Sequence, residues 1–281
     1  MTEFPRTQIE GISMPRMLIG TNWFLGCSHT SQAKDRHIRE VVDREVMADI
    51  IEVFMQNGVD AIYGVHPFTP HMNEAIEMAE DRTGRKCIRI AIPILNVHDG
   101  PDALDETAKI LDDYAGCGTD ILMPHQASTD ALVDRRTRSI RNIDVYTKMI
   151  RERGMTPGLS THMPETIPYA DESGADVATY IQIYNAAGFL MQIEVDWVQR
   201  IIWDAKKPVI TIKPLAAGRL LPLVGLAFVW ATLREQDMVT IGTMTPDEAA
   251  EVIEYSYALF EQRKPDLTLQ RTRSKASVDG K

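Results

Sequence analysis

The sequence predicts an α/β protein that folds as a single-domain (β/α)8 TIM barrel. Eight short apolar segments, typical of buried strands, alternate along the chain with amphipathic helical segments. Successive strand segments begin roughly 24 to 44 residues apart, which is room for one strand, one helix and two loops. A barrel of roughly 250 residues with short extensions also accounts for the chain length of 281 residues.

The predicted strands are rich in isoleucine, valine and leucine, as the strands of a buried parallel sheet are. In chain order they cover residues 17–21, 61–65, 87–95, 120–124, 156–161, 180–184, 208–213 and 238–242. These bounds place the barrel at 15–263, between an N-terminal extension at 1–14 and a polar C-terminal tail at 264–281.

Helices are predicted between the strands, where apolar residues recur at helical spacing. A long one over 35–57 is closed by Gly58, at the position of a left-handed cap. Others cover 102–114, 141–153 and 245–263, and the last of these begins Thr-Pro-Asp-Glu, a capping threonine followed three residues later by glutamate.

Composition narrows the function classes. The 40 acidic residues outnumber 30 Lys and Arg, and a net charge of −10 argues against non-specific nucleic-acid binding. The most apolar run, 220–233, contains a proline and is too short to span a bilayer. The three cysteines form no C-x-x-C pair, and the N-terminus has no apolar signal core. We expect a cytoplasmic protein that acts on a small-molecule substrate, with no nucleic-acid or membrane partner. A homo-oligomer stays open.

Histidines follow the predicted strands, and the carboxyl ends of the strands carry the chemistry in this fold. Six of the seven histidines lie after strands, and only His37 lies inside a helix. His66, His125 and His162 are the candidates for general acid–base catalysis, and the same three could hold a divalent metal. No H-x-H or H-E-x-x-H motif accompanies them, and polar loops also collect histidine, so both readings stay open.

Lys213 ends the seventh predicted strand and is the fourth catalytic candidate. A lysine there could bind an anion, act as a base with a lowered pKa or form a Schiff base, or it could lie on the surface. The loop after it contains Arg219, and Gly242 and Thr243 follow strand eight, in the region where barrels often bind phosphate. Other candidates for contacts to substrate or cofactor are Asn22, Asn96, Ser160 and Asn185. The polar segment 24–36 is either a lid or a surface loop.

Three segments carry a resemblance to the aldo/keto reductase superfamily. They are ILMPH, ending in His125; GLSTH followed by YIQIYN; and IKPLAAGRL followed by VTIGTMTPDEAAEVIE. The resemblance implies a (β/α)8 barrel and NADPH-dependent carbonyl reduction by an Asp, a Tyr, a Lys and a His.

Only the histidine of that catalytic set carries over, as His125. At the other family positions this chain has Tyr63 for the aspartate, Phe68 for the tyrosine, Pro93 for the lysine, Ile212 for the ring that stacks on nicotinamide, and Met244 and Thr245 for the residues that grip the NADP 2′-phosphate. The departures weaken the expectation of NAD(P) as cofactor and leave the cofactor undefined.

Three functions follow from these residues. The first is a lyase, isomerase, epimerase or hydrolase that acts on a small sugar-like or phosphorylated substrate through histidine acid–base catalysis, with or without a metal. The second is an NAD(P)H-dependent oxidoreductase with an altered proton donor. The third is a non-catalytic binding barrel.

Overall fold

The computed structural model describes residues 3–98, 100, 102–270 and 272–278. The strands are β1 (Arg6–Ile9), β2 (Ile12–Pro15), β3 (Met17–Gly20), β4 (Ala61–Val65), β5 (Ile88–Ala91), β6 (Ile121–Leu122), β7 (Val133–Asp134), β8 (Ser139–Ile140), β9 (Thr156–Pro157), β10 (Leu159–Ser160), β11 (Tyr180–Ile183), β12 (Val209–Ile212) and β13 (Met238–Ile241). The helices are α1 (Gln32–Val41), α2 (Arg44–Gln56), α3 (Pro70–Thr83), α4 (Ala103–Gly116), α5 (Gln126–Leu132), α6 (Ile143–Arg151), α7 (Thr166–Ser173), α8 (Val195–Asp204), α9 (Pro222–Thr232), α10 (Pro246–Phe260) and α11 (Arg273–Val278).

The fifth predicted strand closes the barrel because it is broken into two halves. The parallel sheet runs β10-β11-β12-β13-β3-β4-β5-β6-β9, so β9 pairs with β6 at one edge and β10 pairs with β11 at the other. Gly158 lies between the halves, where a Cβ would come within 3.0 Å of Met123 and Thr179. The nine short strands therefore occupy the eight positions of a (β/α)8 barrel, and the predicted fold class is confirmed.

The barrel has an apolar interior and an apolar outer layer under the helices. One buried cluster fills the interior with Leu18, Ile90, Ile210 and other strand residues. Residues 6–15, most of them predicted to be an extension outside the barrel, form the antiparallel β1–β2 hairpin. Its Ile9 and Met14 are fully buried in the interior cluster, so the hairpin closes the amino end of the barrel.

The long predicted helix at 35–57 is wrong as a single element. The chain forms α1 and then α2, and the break falls at Asp43, whose carboxylate accepts from the Val46 N–H at 2.9 Å. A side chain that accepts from the free N–H groups at a helix start favours a new helix there over continuation of the preceding helix. The tail predicted at 264–281 contains the short α11, and its residues 271 and 279–281 lie outside the described residues. Within the described chain, no helix has the length and apolar character needed to cross a membrane.

Candidate active site

A cavity of about 490 Å³ opens at the carboxyl ends of the barrel strands. Its walls come mainly from segments 20–34, 212–222 and 240–252, the loops that follow β3, β12 and β13. Tyr63 on β4 and the residues after β6 and β10 complete the lining. This volume lies in the range of small-molecule sites, and the position is that of active sites in barrels of this kind.

Seven of the eleven predicted site residues lie in the cavity lining. They are Asn22, His125, Ser160, His162, Lys213, Gly242 and Thr243. The other four, His66, Asn96, Asn185 and Arg219, are outside the lining. In this structure each of these four makes local contacts.

The His66 side chain is exposed, and its Nδ1 accepts from the Phe68 N–H at 3.2 Å. Asn96 donates to the Glu106 carboxylate at 2.6 Å. Among the described residues, no three His, Cys, Asp or Glu side chains are close enough together to hold a metal ion. The predicted ligands His66, His125 and His162 are therefore not assembled into one group here.

Asn185 is fully buried, and its amide holds the backbone of the next loop. Its Nδ2 donates to the Phe189 carbonyl at 3.1 Å, and its Oδ1 accepts from the Phe189 N–H at 2.9 Å. The Arg219 guanidinium lies over the Phe189 ring, 4.0 Å from its centroid. Asn185 and Arg219 were both predicted to contact a ligand, but in this structure both contact Phe189 and hold the loop that contains it.

Lys213 and His29 form the polar centre of the cavity. Lys213 directly follows β12, and its Nζ lies 3.0 Å from His29 Nε2. The Asn22 amide nitrogen lies 3.0 Å from the same ring nitrogen. An ammonium group and an amide NH₂ group can only donate hydrogen bonds, so His29 Nε2 is the acceptor of both. The His29 ring is therefore neutral, with its proton on Nδ1.

Both residues of this pair have a backbone conformation that side-chain-bearing residues rarely adopt. The φ angle is +61° at Lys213 and +55° at His29. Such a conformation costs on the order of 1 kcal/mol or more at each residue and persists only where the surroundings enforce it. Strain of this kind concentrates at functional sites, and here it accompanies the two side chains that meet over the cavity.

The charge of Lys213 has no carboxylate partner within 4 Å in the described chain. Burial lowers the pKa of its amine. The pKa of His162 is lowered to about 4, first by burial and then by the nearby Lys213, His125 and His29. Burial also lowers the pKa of His125 and, together with Lys213, the pKa of His29. The imidazoles of this cluster are therefore neutral at pH 7.

His125 precedes α5 and caps it. Its Nδ1 accepts from the Ala127 N–H at 3.1 Å, so the proton of the neutral ring is on Nε2. This is the proton that the ring has to offer to a ligand in the cavity.

Asp130, a residue that the sequence does not single out, positions the loop that carries His162. Asp130 lies on α5, and its carboxylate accepts from the Thr161 hydroxyl at 2.5 Å and from the His162 N–H at 3.3 Å. Burial raises the pKa of this carboxyl. The sequence offered little signal for it, because α5 was not among the predicted helices and a single aspartate in a polar run has the pattern of an exposed turn.

The floor of the cavity has a phenol and a serine hydroxyl. Burial raises the pKa of Tyr63, while a hydrogen bond with Ser160 acts in the opposite direction. Tyr63 is therefore a protonated donor at neutral pH.

The lining after β13, the strand between β12 and β3 in the sheet, is acidic. The Met244 N–H donates to the Glu248 carboxylate at 2.7 Å, and Glu251 also lines the cavity. The helix N-terminus that was predicted to bind phosphate is thus occupied by a carboxylate of its own first turn. Thr240 and Thr243, 7% and 4% exposed, have hydroxyls without a hydrogen-bond partner among the described residues.

Known structures with the same fold include a protein assigned to the aldo/keto reductases, from Pseudomonas aeruginosa. It is 12% identical, with a TM-score of 0.65, and the match covers 92% of this chain and 98% of that one. An aldo/keto reductase from Klebsiella pneumoniae in complex with NADP and acetate is 15% identical, with a TM-score of 0.54 and coverage of 98% and 94%. The chain has an aldo/keto-reductase-like barrel fold.

Barrels of other activities match as well. A truncated 3-deoxy-D-arabino-heptulosonate 7-phosphate synthase from Thermotoga maritima is 11% identical, with a TM-score of 0.53 and coverage of 92% and 93%. No family model matches the sequence, and no curated protein matches it. At these identities the likeness establishes the fold alone, so the chemistry has to be argued from the cavity.

Some of the positions that correspond to functional residues of the aldo/keto reductases line the cavity, and others lie outside it. His125, Tyr63 and Ile212 line the cavity. Phe68, at the tyrosine position, is 71% exposed and outside the lining, as is Pro93, at the lysine position. Met244, at a position where the family has a basic residue, donates its N–H to a carboxylate.

Proposed function

We propose that this chain is an enzyme that transfers protons next to the carbonyl group of a small anionic substrate, as an isomerase, epimerase or lyase does. One observation carries the proposal: the Lys213 amine is in the cavity wall beside neutral imidazoles, with no carboxylate partner. Burying an unpaired charge is costly, and an anionic ligand would offset that cost.

The positive side of the cavity supports an anionic substrate. Lys34, on α1, also lines the cavity and lies 5.6 Å above the Trp23 ring. Glu248 and Glu251 also line the cavity, and they favour substrates whose other end is neutral or carries hydroxyls.

The imidazoles supply the proton chemistry. His125 would donate from Nε2 to the carbonyl oxygen, as a neutral imidazole does when its pKa is held low. His162 would take the proton from the neighbouring carbon. Its pKa of about 4 makes it a weak base before substrate binds, and a substrate anion would raise that pKa towards neutrality, where a general base is most effective.

The test is hydrogen–deuterium exchange at carbon, which requires no knowledge of the final product. The protein is incubated in D₂O with a panel of 2-oxo acids, hydroxy-ketones and their phosphates, and proton NMR follows the loss of signal next to each carbonyl. We expect exchange with at least one anionic compound. His125→Ala and His162→Ala should each lower its rate about 100-fold or more.

His37→Ala is the matched control, because His37 is an exposed histidine on α1 outside the cavity lining. Its rate should equal that of the unmodified protein. Exchange that is insensitive to both cavity substitutions, or a panel without any exchange, would contradict the proposal.

A second candidate is nicotinamide-dependent carbonyl reduction. The Tyr63 phenol in the cavity lining favours it, because carbonyl reduction needs a proton donor beside the carbonyl group. Glu248 and Glu251 oppose it, since they would repel a 2′-phosphate. Quenching of Trp23 fluorescence by NADPH or NADH, measured against a Trp23→Phe control, would support this candidate. A response identical in the two proteins would count against it. A non-catalytic barrel would show neither exchange nor nicotinamide binding.

A further inference from the structure

We propose that Lys213 forms a Schiff base with the carbonyl carbon of its substrate. The inference rests on the proposed function and deepens it, because it assigns the step that activates the neighbouring carbon. It also names the substrate class as small anionic aldehydes and ketones.

The two ends of β12 show why this lysine, and not another, is suited to the reaction. Lys207, near the amino end, has its Nζ 4.0 Å from the Asp171 carboxylate and 3.3 Å from the Ala175 carbonyl. Lys213, at the carboxyl end, has His29 Nε2 at 3.0 Å as the hydrogen-bond partner of its amine among the described residues, and the Cys27 thiol is the nearby acidic group. Both lysines are partly buried, but an acidic partner keeps an amine protonated and unreactive. Of these two lysines, only Lys213 lines the cavity and lacks a carboxylate partner. Lys34 also lines the cavity, but its ammonium lies 5.6 Å from the Trp23 ring and no imidazole of the described chain accepts from it.

The neighbours of Lys213 supply both proton transfers. His29 Nε2 is an acceptor that already faces the amine, so it can take a proton from the ammonium. The free amine then attacks the carbonyl carbon, a C–N bond forms, and the carbonyl oxygen receives a proton from His125 Nε2. The nitrogen of the adduct then gives one proton back to His125, His29 returns the first proton to the new hydroxyl, and the C–O bond breaks as water leaves.

The balance is one ammonium group and one carbonyl converted to one protonated imine and one water, without oxidation or reduction. The positive imine nitrogen withdraws electrons from the neighbouring carbon. His162 can then remove a proton from that carbon to give an enamine, and addition of water later regenerates the amine. The strained backbone at Lys213 and His29 holds the two nitrogens together for the first step.

The experiment traps the imine. The full-length protein is incubated with pyruvate or glyoxylate and sodium cyanoborohydride, which reduces protonated imines to stable amines. Intact-mass spectrometry should show an addition of one probe molecule less one oxygen atom, and peptide mapping should place it on Lys213. Acetone, an uncharged carbonyl compound, should label much less than pyruvate.

Lys213→Arg keeps the charge and Lys213→Met keeps the length, and both should abolish the labelling. Lys207→Arg is the matched control at the other end of β12 and should label like the unmodified protein. Mapping on the unmodified protein locates the adduct even where a variant folds poorly. No adduct with either probe, or equal labelling of Lys213→Arg, overturns the inference.

Carbon exchange in D₂O separates this inference from the proposed function. Exchange without an adduct overturns the Schiff base and leaves proton transfer with a non-covalent Lys213. An adduct on Lys213 together with exchange that requires Lys213 supports both. Neither exchange nor an adduct overturns both.

Discussion

The two ends of the barrel treat charges that are partly or fully buried in opposite ways. At the amino end, Asp237 is fully buried, and its oxygens accept from the Arg234 guanidinium at 2.7 and 2.9 Å. Glu80, also buried, pairs with Lys86 at 2.8 Å. At the carboxyl end, the Lys213 amine has no carboxylate partner among the described residues. The paired charges at the amino end stabilise the fold, and the unpaired amine at the carboxyl end is left for a ligand.

The largest effect on stability is expected at the amino end. Asp237→Ala removes the acceptor of the Val209 N–H at 2.9 Å and leaves the Arg234 charge unpaired. Loss of one partner from a buried ion pair costs about 3–5 kcal/mol. Urea denaturation would measure the change in the free energy of unfolding. A loss under about 1 kcal/mol would mean that the amino end is not stabilised by paired groups as described.

The hairpin that closes the amino end gives the next largest effect. Ile9→Ala should lower the free energy of unfolding by about 2–5 kcal/mol, because it leaves a cavity in the barrel interior. Thermal or urea unfolding would measure it, with Thr7→Ala on the same strand as a control of small effect. Equal stability of the Ile9→Ala and Thr7→Ala proteins would show that the hairpin does not belong to the core.

The loss of folding stability in acid should come from His162, at the carboxyl end of the barrel. The folded pKa of His162, about 4, is below the ordinary value of 6.5, so the unfolded chain binds its proton more readily. His162 therefore supports the folded state above pH 6.5, and this support is lost as the pH falls towards 4. The change is at most about 3 kcal/mol. His162→Gln should flatten the stability profile in this window, and an unchanged profile would contradict the burial of a neutral imidazole.

Removal of the unpaired cation should have the smallest effect on stability. Lys213→Met should change the free energy of unfolding by less than about 1 kcal/mol, or raise it, because a desolvated charge is replaced by an apolar side chain of similar length. Its carbon-exchange activity should disappear. A loss of several kcal/mol would place Lys213 among the structural residues.

The sequence predicts the barrel well because strands and helices leave a periodic pattern of apolar residues. It also predicts that His125, His162 and Lys213 share one cavity, since strand ends meet at one face. It could not predict that Asn185 would hold a loop backbone, because turn hydrogen bonds leave no periodic signal. His29 reaches Lys213 from a long loop after β3, and that contact spans 184 positions of the chain.

The fifth predicted strand gives a second example of what the sequence could not predict. The segment 156–161 is extended as predicted, but its break at Gly158 depends on how near Met123 and Thr179 approach. Those distances come from the closure of the whole sheet. The local sequence determines the type of element, and packing determines where the element breaks.

The most direct test of the central claim is an NMR titration of the lysine side chains, with Lys213 and Lys86 assigned by substitution. Lys86 is paired with Glu80, which raises the pKa of its amine, whereas burial lowers the pKa of Lys213. We predict that Lys213 titrates below the ordinary lysine value of 10.5 and Lys86 above it, and that pyruvate affects only the Lys213 signal. A Lys213 that titrates at or above Lys86 would contradict an unpaired amine at the carboxyl end of the barrel.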